Sequence, residues 1–203
     1  KILHSILYNY YVWRYQQARF LPQCAGILVV VPEAADVLIS LGVPREKIIA
    51  ICNTEDETTF KIKPEQSDQS IINKYKNYWT ISYVGGLSAE RGLDTVIKAL
   101  PFARNNIPNL KLLVVGSQGK QSEEIYSWAS RVSVDDIVDV VGWQPFSMVN
   151  SYVMASQICL VPHNEFEHTH TTVPHKLFQY MICAKPVLVS SCRPLRRIVE
   201  DAQ

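Results

Sequence analysis

The sequence has no long hydrophobic run and no excess of either charge, and these two absences narrow what the chain can be. No apolar run approaches the roughly 20 residues that a membrane-spanning helix needs. The 20 lysines and arginines nearly balance the 19 acidic residues, giving a formal net charge of +1. A chain without a basic patch or run lacks the electrostatic footprint of a nucleic-acid-binding protein. We therefore predict no nucleic-acid partner.

The cysteines do not form a recognisable pattern. There are five, an odd number, and none belongs to a C-x-x-C pair. This argues against a disulfide framework, and the apolar surroundings of three of them predict buried thiols in a reducing cytoplasm. The sequence begins Lys-Ile-Leu-His-Ser, without a methionine or a signal-peptide layout. We expect this chain to be a piece of a longer protein.

What the sequence does contain is an ordinary globular composition with a regular alternation of strands and helices. Of the 203 residues, 47% are hydrophobic and 19% charged. From about residue 71, short apolar runs alternate with amphipathic helices; the predicted strands are 80–84, 110–115, 137–141, 158–161 and 187–189. This alternation predicts an α/β fold with a doubly wound, Rossmann-like parallel sheet. Ligands of such sheets bind beyond the carboxyl ends of the strands, where Gly85, Gly116 and Gly142 fall.

The first 60 residues are predicted to belong to a separate unit. A helix rich in tyrosine and tryptophan runs to about residue 20, followed by a strand at 27–31, a helix at 33–41 and a strand at 48–51. Residues 53–68 are polar and acidic without periodicity, which is typical of a linker or domain boundary.

One stretch, residues 173–190, has the form of a helix with polar groups at its start and a strand behind it. Pro174 suits the first helical turn. The helix is predicted to carry an apolar stripe of Leu177, Phe178, Met181 and Ile182, and on its other side His175, Lys176 and Gln179 share one face. The strand 187–189 is predicted to be buried on both sides. A helix N-terminus with a lysine beside it suits an anion. An ordinary βα unit with a solvated polar face is the alternative from these residues alone.

A second stretch, residues 82–94, reads as strand, glycine loop and helix. Glycine lets the backbone approach a phosphate closely, and Arg91 can form a forked pair with phosphate oxygens. Such loops are common and mostly structural, but the two stretches together, about 80 residues apart in one βα series, form a much stronger signal.

Together the two stretches resemble the nucleotide-sugar-binding half of the family 4 glycosyltransferases, retaining enzymes of GT-B architecture. The family's loop reads V-G-R-x-x-x-E-K-G, where this chain has Val84-Gly85-Gly86 and then Glu90-Arg91-Gly92. Many relatives carry P-x-K-L-F-E-Y-M, which residues 174–181 match except that Gln179 replaces the Glu. The family's E-x7-E spacing puts Thr171 at the first acidic position.

The resemblance implies two parts. Residues 25–44 look like the last βα unit of the family's N-terminal domain, and residues 47–60 resemble its strand and connector. We therefore expect residues 1–60 to be a remnant of the acceptor-side domain with the connector. Residues 61–203 would be the donor domain, truncated at its C-terminus.

The resemblance also implies residue roles. Arg91 would hold the donor diphosphate, with Lys176 as a second cation, and both are candidate catalytic residues. Gln179 would bind the ribose hydroxyls, and Thr171 would lie near the donor sugar. The candidate substrate-binding set is Gly85, Gly86, Gly92, Gly142, Trp143, Thr171, Thr172, Val173, His175 and Gln179. The family works without a bound metal, so we expect no metal and no cofactor.

Three departures bear on function: Gly86 replaces the family's arginine, and Thr171 and Gln179 replace both acidic residues. The resemblance implies a donor domain that transfers a sugar from a nucleoside-diphosphate sugar with retention, in polysaccharide or glycoconjugate synthesis. The fragment alone is expected to be inactive, because a sugar or lipid-linked acceptor would bind through the missing domain. The expected location is the cytoplasm. The alternative location is the inner face of the membrane, to which the protein would attach through the missing domain. The alternative is a non-catalytic relative that binds a nucleotide or a partner.

The irregular loop 162–172 leaves three interpretations open. Four of the five histidines fall between His163 and His175, and imidazole is a good zinc ligand. The spacing fits no standard zinc motif, and no cysteine joins it. A hydroxyl-rich loop around a sugar diphosphate and a plain surface loop are the other two interpretations.

Overall fold

The computed structural model describes residues 2–60 and 67–202. The helices there are α1 (Ile2–Phe20), α2 (Ala34–Ser40), α3 (Glu57–Phe60), α4 (Gln69–Tyr75), α5 (Leu93–Arg104), α6 (Lys120–Arg131), α7 (Phe146–Met154), α8 (His175–Ile182) and α9 (Arg193–Asp201). The strands are β1 (Ile27–Val29), β2 (Ile48–Ala50), β3 (Trp79–Val84), β4 (Leu110–Val115), β5 (Val138–Val141), β6 (Ile158–Val161) and β7 (Val187–Val189).

Strands β3 to β7 form one parallel sheet in the order β5-β4-β3-β6-β7. The chain builds outward from β3 to β5 and then crosses to the other side of β3, where β6 pairs through Ile81 with Ile158 and Ser82 with Cys159. The strand order therefore reverses between β3 and β6, and a crevice opens there at the carboxyl ends. The prediction of a doubly wound parallel sheet is confirmed.

The sheet is covered on both faces, which explains the apolar run at residues 112–115 of β4. In β4, Leu112 and Val114 pack with α5 and α6, while Leu113 and Val115 pack with α4 and α7. All four side chains are fully buried or nearly so. Successive residues of a strand point to opposite faces, so the part of β4 that lies between two helical layers, residues 112–115, is apolar at every position.

The first part of the chain forms a two-stranded parallel sheet, β1 with β2, and within the described residues this sheet shares no strand pairing with the larger one. It packs against the larger unit through Val31, which lies in the core formed by β6, α8 and α9. Arg197 of α9 holds Glu33 through two hydrogen bonds, of 2.6 and 3.3 Å. Burial by itself would raise the pKa of the Glu33 carboxyl, but the hydrogen bond from Arg197, helped by the charges of Arg197 and Arg193 and a backbone hydrogen bond, lowers the pKa below its ordinary value.

Three sequence expectations are wrong in detail. Pro174 is not in the first turn of α8; it is the N-cap residue, with extended backbone (ψ 142°), and α8 begins at His175. Strand β7 is not buried on both sides, because Leu188 is 62% exposed on an edge strand of the described sheet. In α8 the expected apolar position Met181 is exposed, and Tyr180 is buried instead.

Two further observations concern the cysteines and the helices. All five cysteines are free thiols, with Cys159 and Cys192 buried and Cys52 exposed. Within residues 2–60 and 67–202, no helix combines the length and apolar character needed to cross a bilayer.

Candidate functional site

A cavity of about 510 Å³ opens at the crevice between the carboxyl ends of β3 and β6. One wall is the loop that follows β3, and the other is the segment that leads from β6 into α8. The residues that line it are Tyr83, Gly85, Gly86, Leu87, Ser88, Glu90, Arg91, His163, His168, Thr169, Thr172, Pro174, His175 and Lys176.

Gly85 makes room for a lysine. Its φ of +136° is unfavourable for a residue with a side chain, and a Cβ built there would lie 2.9 Å from Lys176 Nζ. The Tyr83 hydroxyl donates a hydrogen bond of 2.9 Å to the Gly86 carbonyl and so fixes the turn. The glycine at this position therefore lets the ammonium group enter the loop.

Gly92 fixes the other end of the same loop. Its φ is +66°, and a Cβ built there would lie 1.8 Å from the Pro162 carbonyl oxygen, so no side chain fits. Asn164 adds two hydrogen bonds to the same loop. Its backbone N–H donates to the Glu90 carbonyl at 3.0 Å, and its side-chain amide donates to the Ala89 carbonyl at 2.7 Å. The Arg91 loop is therefore attached to the end of β6.

The Lys176 ammonium is buried, and no described residue forms a hydrogen bond with its Nζ atom. Nζ lies 3.8 Å from the centroid of the Tyr83 ring, a cation–π distance. Burial, with a smaller contribution from Arg91, lowers the pKa of Lys176 to about 7. A buried, unpaired ammonium is costly unless an anion compensates it, so the geometry favours a negative ligand at this point.

Arg91 contacts His163 across the cavity. Arg91 Nη1 lies 3.0 Å from His163 Nε2, and His163 is only 4% exposed. Burial, followed by the charges of Lys176 and Arg91, lowers the pKa of His163 to about 4. Burial likewise raises the pKa of Tyr83 to about 12. At neutral pH the imidazole and the phenol are therefore uncharged, and Arg91 and Lys176 set the sign of the cavity.

The electrostatic balance favours an anion. Among the described lining residues, Glu90 is the single carboxylate against Arg91 and Lys176. The first turn of α8 adds free backbone N–H groups, because Pro174 at its N-cap offers no side-chain acceptor to bond them. This combination of arginine, lysine and helix N-terminus is a suitable environment for phosphate oxygens.

Beyond this cavity, α8 is joined to the segment after β2. The Gln179 side-chain amide donates a 2.7 Å hydrogen bond to the Glu55 carboxylate. Asn53 donates one of 2.9 Å to the Val173 carbonyl. A carboxylate from a distant part of the chain therefore lies next to Gln179.

The structure brings together six of the residues singled out in the sequence. Those that line the cavity are Gly85, Gly86, Arg91, Thr172, His175 and Lys176, and those that do not line it are Gly92, Gly142, Trp143, Thr171, Val173 and Gln179. Thr171 bonds the carbonyls of Glu167 and His168, and Trp143 is 65% exposed. The binding roles assigned to both groups stay predictions.

Sequence reasoning did not assign a role to His163 or Tyr83. Both lie near strand ends: Tyr83 is the last residue but one of β3, and His163 is two residues after β6. Their position at the carboxyl ends of predicted strands was the available signal. Within the described residues, no three metal-ligating side chains come together, and His163 faces Arg91.

Comparison with known proteins then identifies the family. The family model described as "Glycosyl transferases group 1" matches residues 64–203, which is more than half of the chain. The chain belongs to this family. It is a C-terminal domain of the family 4, GT-B type, so the resemblance read from the sequence is confirmed. None of the curated proteins compared with this chain matches it.

Solved glycosyltransferase structures share the fold. The Anabaena protein HepE, in complex with UDP and glucose, is 18% identical with a TM-score of 0.63, over 82% of this chain and 44% of HepE. Sucrose-phosphate synthase from Thermosynechococcus elongatus is 20% identical with a TM-score of 0.64, over 85% and 42%. WaaG, a glycosyltransferase involved in lipopolysaccharide biosynthesis, is 17% identical with a TM-score of 0.62, over 86% and 46%. The chain thus spans less than half the length of each, and matches one half of the GT-B architecture.

Proposed function

We propose that this group 1 glycosyltransferase domain binds a nucleoside-diphosphate sugar, with the diphosphate between Arg91 and Lys176. The observation that carries the proposal is the buried Lys176 ammonium, which has no hydrogen-bond partner among the described residues and lies beside Arg91 in a cavity at the start of α8. HepE has been crystallised with UDP-glucose, which makes uridine nucleotides the first ligands to test.

The same groups suit transfer of the sugar. The difficult step is departure of a diphosphate whose negative charge grows as the bond to the sugar breaks. Arg91 and Lys176 line one cavity at the start of α8. Together with the free N–H groups of that helix they would stabilise this charge without a metal ion. Transfer would proceed with retention, as in the family, and the acceptor would bind through the part of the protein that this chain does not contain.

The nucleoside would extend away from the cavity along α8. Gln179 follows His175 by four residues, a rise of about 6 Å on the same helix face. This is on the order of the separation between a diphosphate and its ribose, so Gln179 would reach the ribose hydroxyls. Thr171 would lie near the sugar, and Gly142 with Trp143 near the base.

The two-part organisation is part of this proposal. Residues 1–60 would be the remnant of the acceptor-side domain with the connector, and residues 61–203 the donor domain; residues 1, 61–66 and 203 lie outside the described residues. The separate β1-β2 sheet supports the division. The longer protein would act in polysaccharide or glycoconjugate synthesis in the cytoplasm or at the inner membrane face.

A second candidate is nucleotide binding without catalysis. It is favoured by Gln179, which stands where relatives carry a carboxylate and whose amide is already bonded to Glu55. Sugar transfer by the longer protein would decide between the two candidates, because both predict binding and only the first predicts product.

Calorimetric titration of the chain with UDP, GDP, UDP-glucose and uridine tests the binding proposal. Arg91→Ala should weaken UDP binding about tenfold or more, because a charge-assisted bond to phosphate is worth roughly 1.5–3 kcal/mol, and should leave uridine binding nearly unchanged. Arg196→Ala is the matched control, since Arg196 is an exposed arginine of α9 whose ion pair with Glu200 is long, at 4.0 Å. Equal UDP affinity in the wild type and the Arg91→Ala variant would show that the loop is only a structural turn and does not bind the diphosphate.

A further inference from the structure

The guanidinium of Arg91 is held by a group that is not an acid. Buried arginines are usually paired with carboxylates, which orient them but also neutralise their charge. Arg91 instead contacts the ring of His163, with 3.0 Å between Nη1 and Nε2. No described carboxylate forms an ion pair with Arg91.

The geometry fixes the protonation of the ring. Every nitrogen of a guanidinium carries hydrogen and can only donate. His163 Nε2 must therefore accept, which places the ring hydrogen on Nδ1 and leaves the imidazole neutral. The burial of His163 and the nearby charges of Lys176 and Arg91 oppose protonation in the same direction.

The backbone that carries the imidazole is also held in place. His163 follows Pro162, whose carbonyl is packed against Gly92, and precedes Asn164, whose backbone is bonded to Glu90. Its own carbonyl accepts a hydrogen bond from the Cys192 thiol at 3.6 Å. The Cα of His163 is therefore fixed relative to the Arg91 loop, and the ring, which is only 4% exposed, has little room to rotate away from Arg91.

We propose that His163 is a positioning residue for the diphosphate-binding arginine, orienting Arg91 through one N–H while leaving its positive charge uncompensated. The inference rests on the proposed function. Arg91 keeps its other N–H groups for phosphate oxygens, and it enters binding already oriented, so less conformational entropy is lost when the ligand arrives. A carboxylate at position 163 would orient Arg91 equally well but would reduce the net positive charge that the diphosphate meets.

Three variants separate orientation from charge. His163→Gln keeps a neutral acceptor, His163→Leu removes the acceptor, and His163→Asp supplies an acceptor that carries negative charge. Titrated with UDP and with inorganic pyrophosphate, the Gln variant should bind within about threefold of the wild type. The Leu variant should bind about tenfold more weakly, and the Asp variant more weakly still, while uridine affinity should stay unchanged in all three. His170→Leu, from the same loop but outside the cavity lining, is the control.

A double-mutant cycle tests whether His163 acts through Arg91. In the Arg91→Ala background, His163→Leu should weaken pyrophosphate binding no further, because the side chain that it positions is gone. An additional tenfold loss there, or Asp binding pyrophosphate more tightly than Leu, would overturn the positioning role. Thermal melts confirm that each variant is folded before titration. If the wild type binds pyrophosphate but no nucleotide, the nucleotide proposal fails while the variant series still tests His163.

Discussion

Replacing Lys176 with methionine tests the central electrostatic feature of the site. Methionine keeps most of the length and apolar character of the lysine stem and removes the ammonium that is buried against Gly85 and Tyr83. Because that ammonium has no hydrogen-bond partner among the described residues, the substitution removes an unfavourable charge from the ligand-free protein. We expect the Lys176→Met variant to be more stable than the wild type at pH 7.

The pH dependence of stability gives the magnitude. Burial places the pKa of Lys176 at about 7 in the folded protein, against an ordinary value of 10.5 in the unfolded chain. Between these values the unfolded chain holds more protons, so the free energy of unfolding rises with pH, by at most about 1.4 kcal/mol per unit. From pH 7 to pH 9 the gain is roughly 2 kcal/mol. Tyr83, with its pKa raised to about 12, titrates above this window.

Urea denaturation followed by tryptophan fluorescence at pH 7, 8 and 9 measures the effect. The wild type should gain stability across this range, and the Lys176→Met variant should gain much less. Lys98→Met is the control, because Lys98 is exposed and paired with Asp94, and it should follow the wild type. Parallel pH profiles for wild type and Lys176→Met would refute the assignment of a low pKa to Lys176.

Three further predictions concern individual residues and ions. Gly92→Ala should lower the free energy of unfolding by about 2 kcal/mol or more, because the backbone is left-handed there and a Cβ would clash with Pro162. Gly119→Ala is the control: its φ is +56° but its Cβ would meet open space, so only the cost of the left-handed backbone remains. Equal melting temperatures for the two variants would contradict this. Gln179→Ala should weaken uridine and UDP binding alike. If only the UDP affinity fell, Gln179 would not contact the ribose. Chelation with EDTA should leave UDP affinity unchanged, and a loss restored by one metal would favour a metal-dependent site.

Strongly apolar elements could be predicted from sequence almost to the residue. Strand β4 has the predicted bounds, because the apolar run from Leu112 to Val115 suits burial on both faces of a sheet. Strand β7 has equally apolar residues, but its burial depends on a neighbour on its far side, which local sequence does not contain. Pro174 is compatible with both the N-cap and the first turn of a helix, so the sequence could not decide whether α8 begins at Pro174 or at His175.

The site was predictable where a single segment carries the signal. The loop residues Gly85 and Arg91 and the helix residue Lys176 lie in recognisable motifs, and the fold brings them to one cavity. The His163 contact with Arg91 joins positions 72 residues apart and exists only because β6 crosses to lie beside β3. A histidine in a polar loop gives no indication of its partner, so this contact could not be predicted from the sequence.

The late crossover of β6 also has a consequence for folding kinetics. The segment from β3 to β5 can pair in chain order, but the cavity needs β6 beside β3, a contact between residues 77 positions apart. Such long-range pairing forms slowly, because the loop must close before the contact is gained. If the β3–β6 pair forms after the rate-limiting barrier, a diphosphate ligand would slow unfolding and leave the refolding rate unchanged. Stopped-flow unfolding with and without UDP would then locate the assembly of the binding site along the folding pathway.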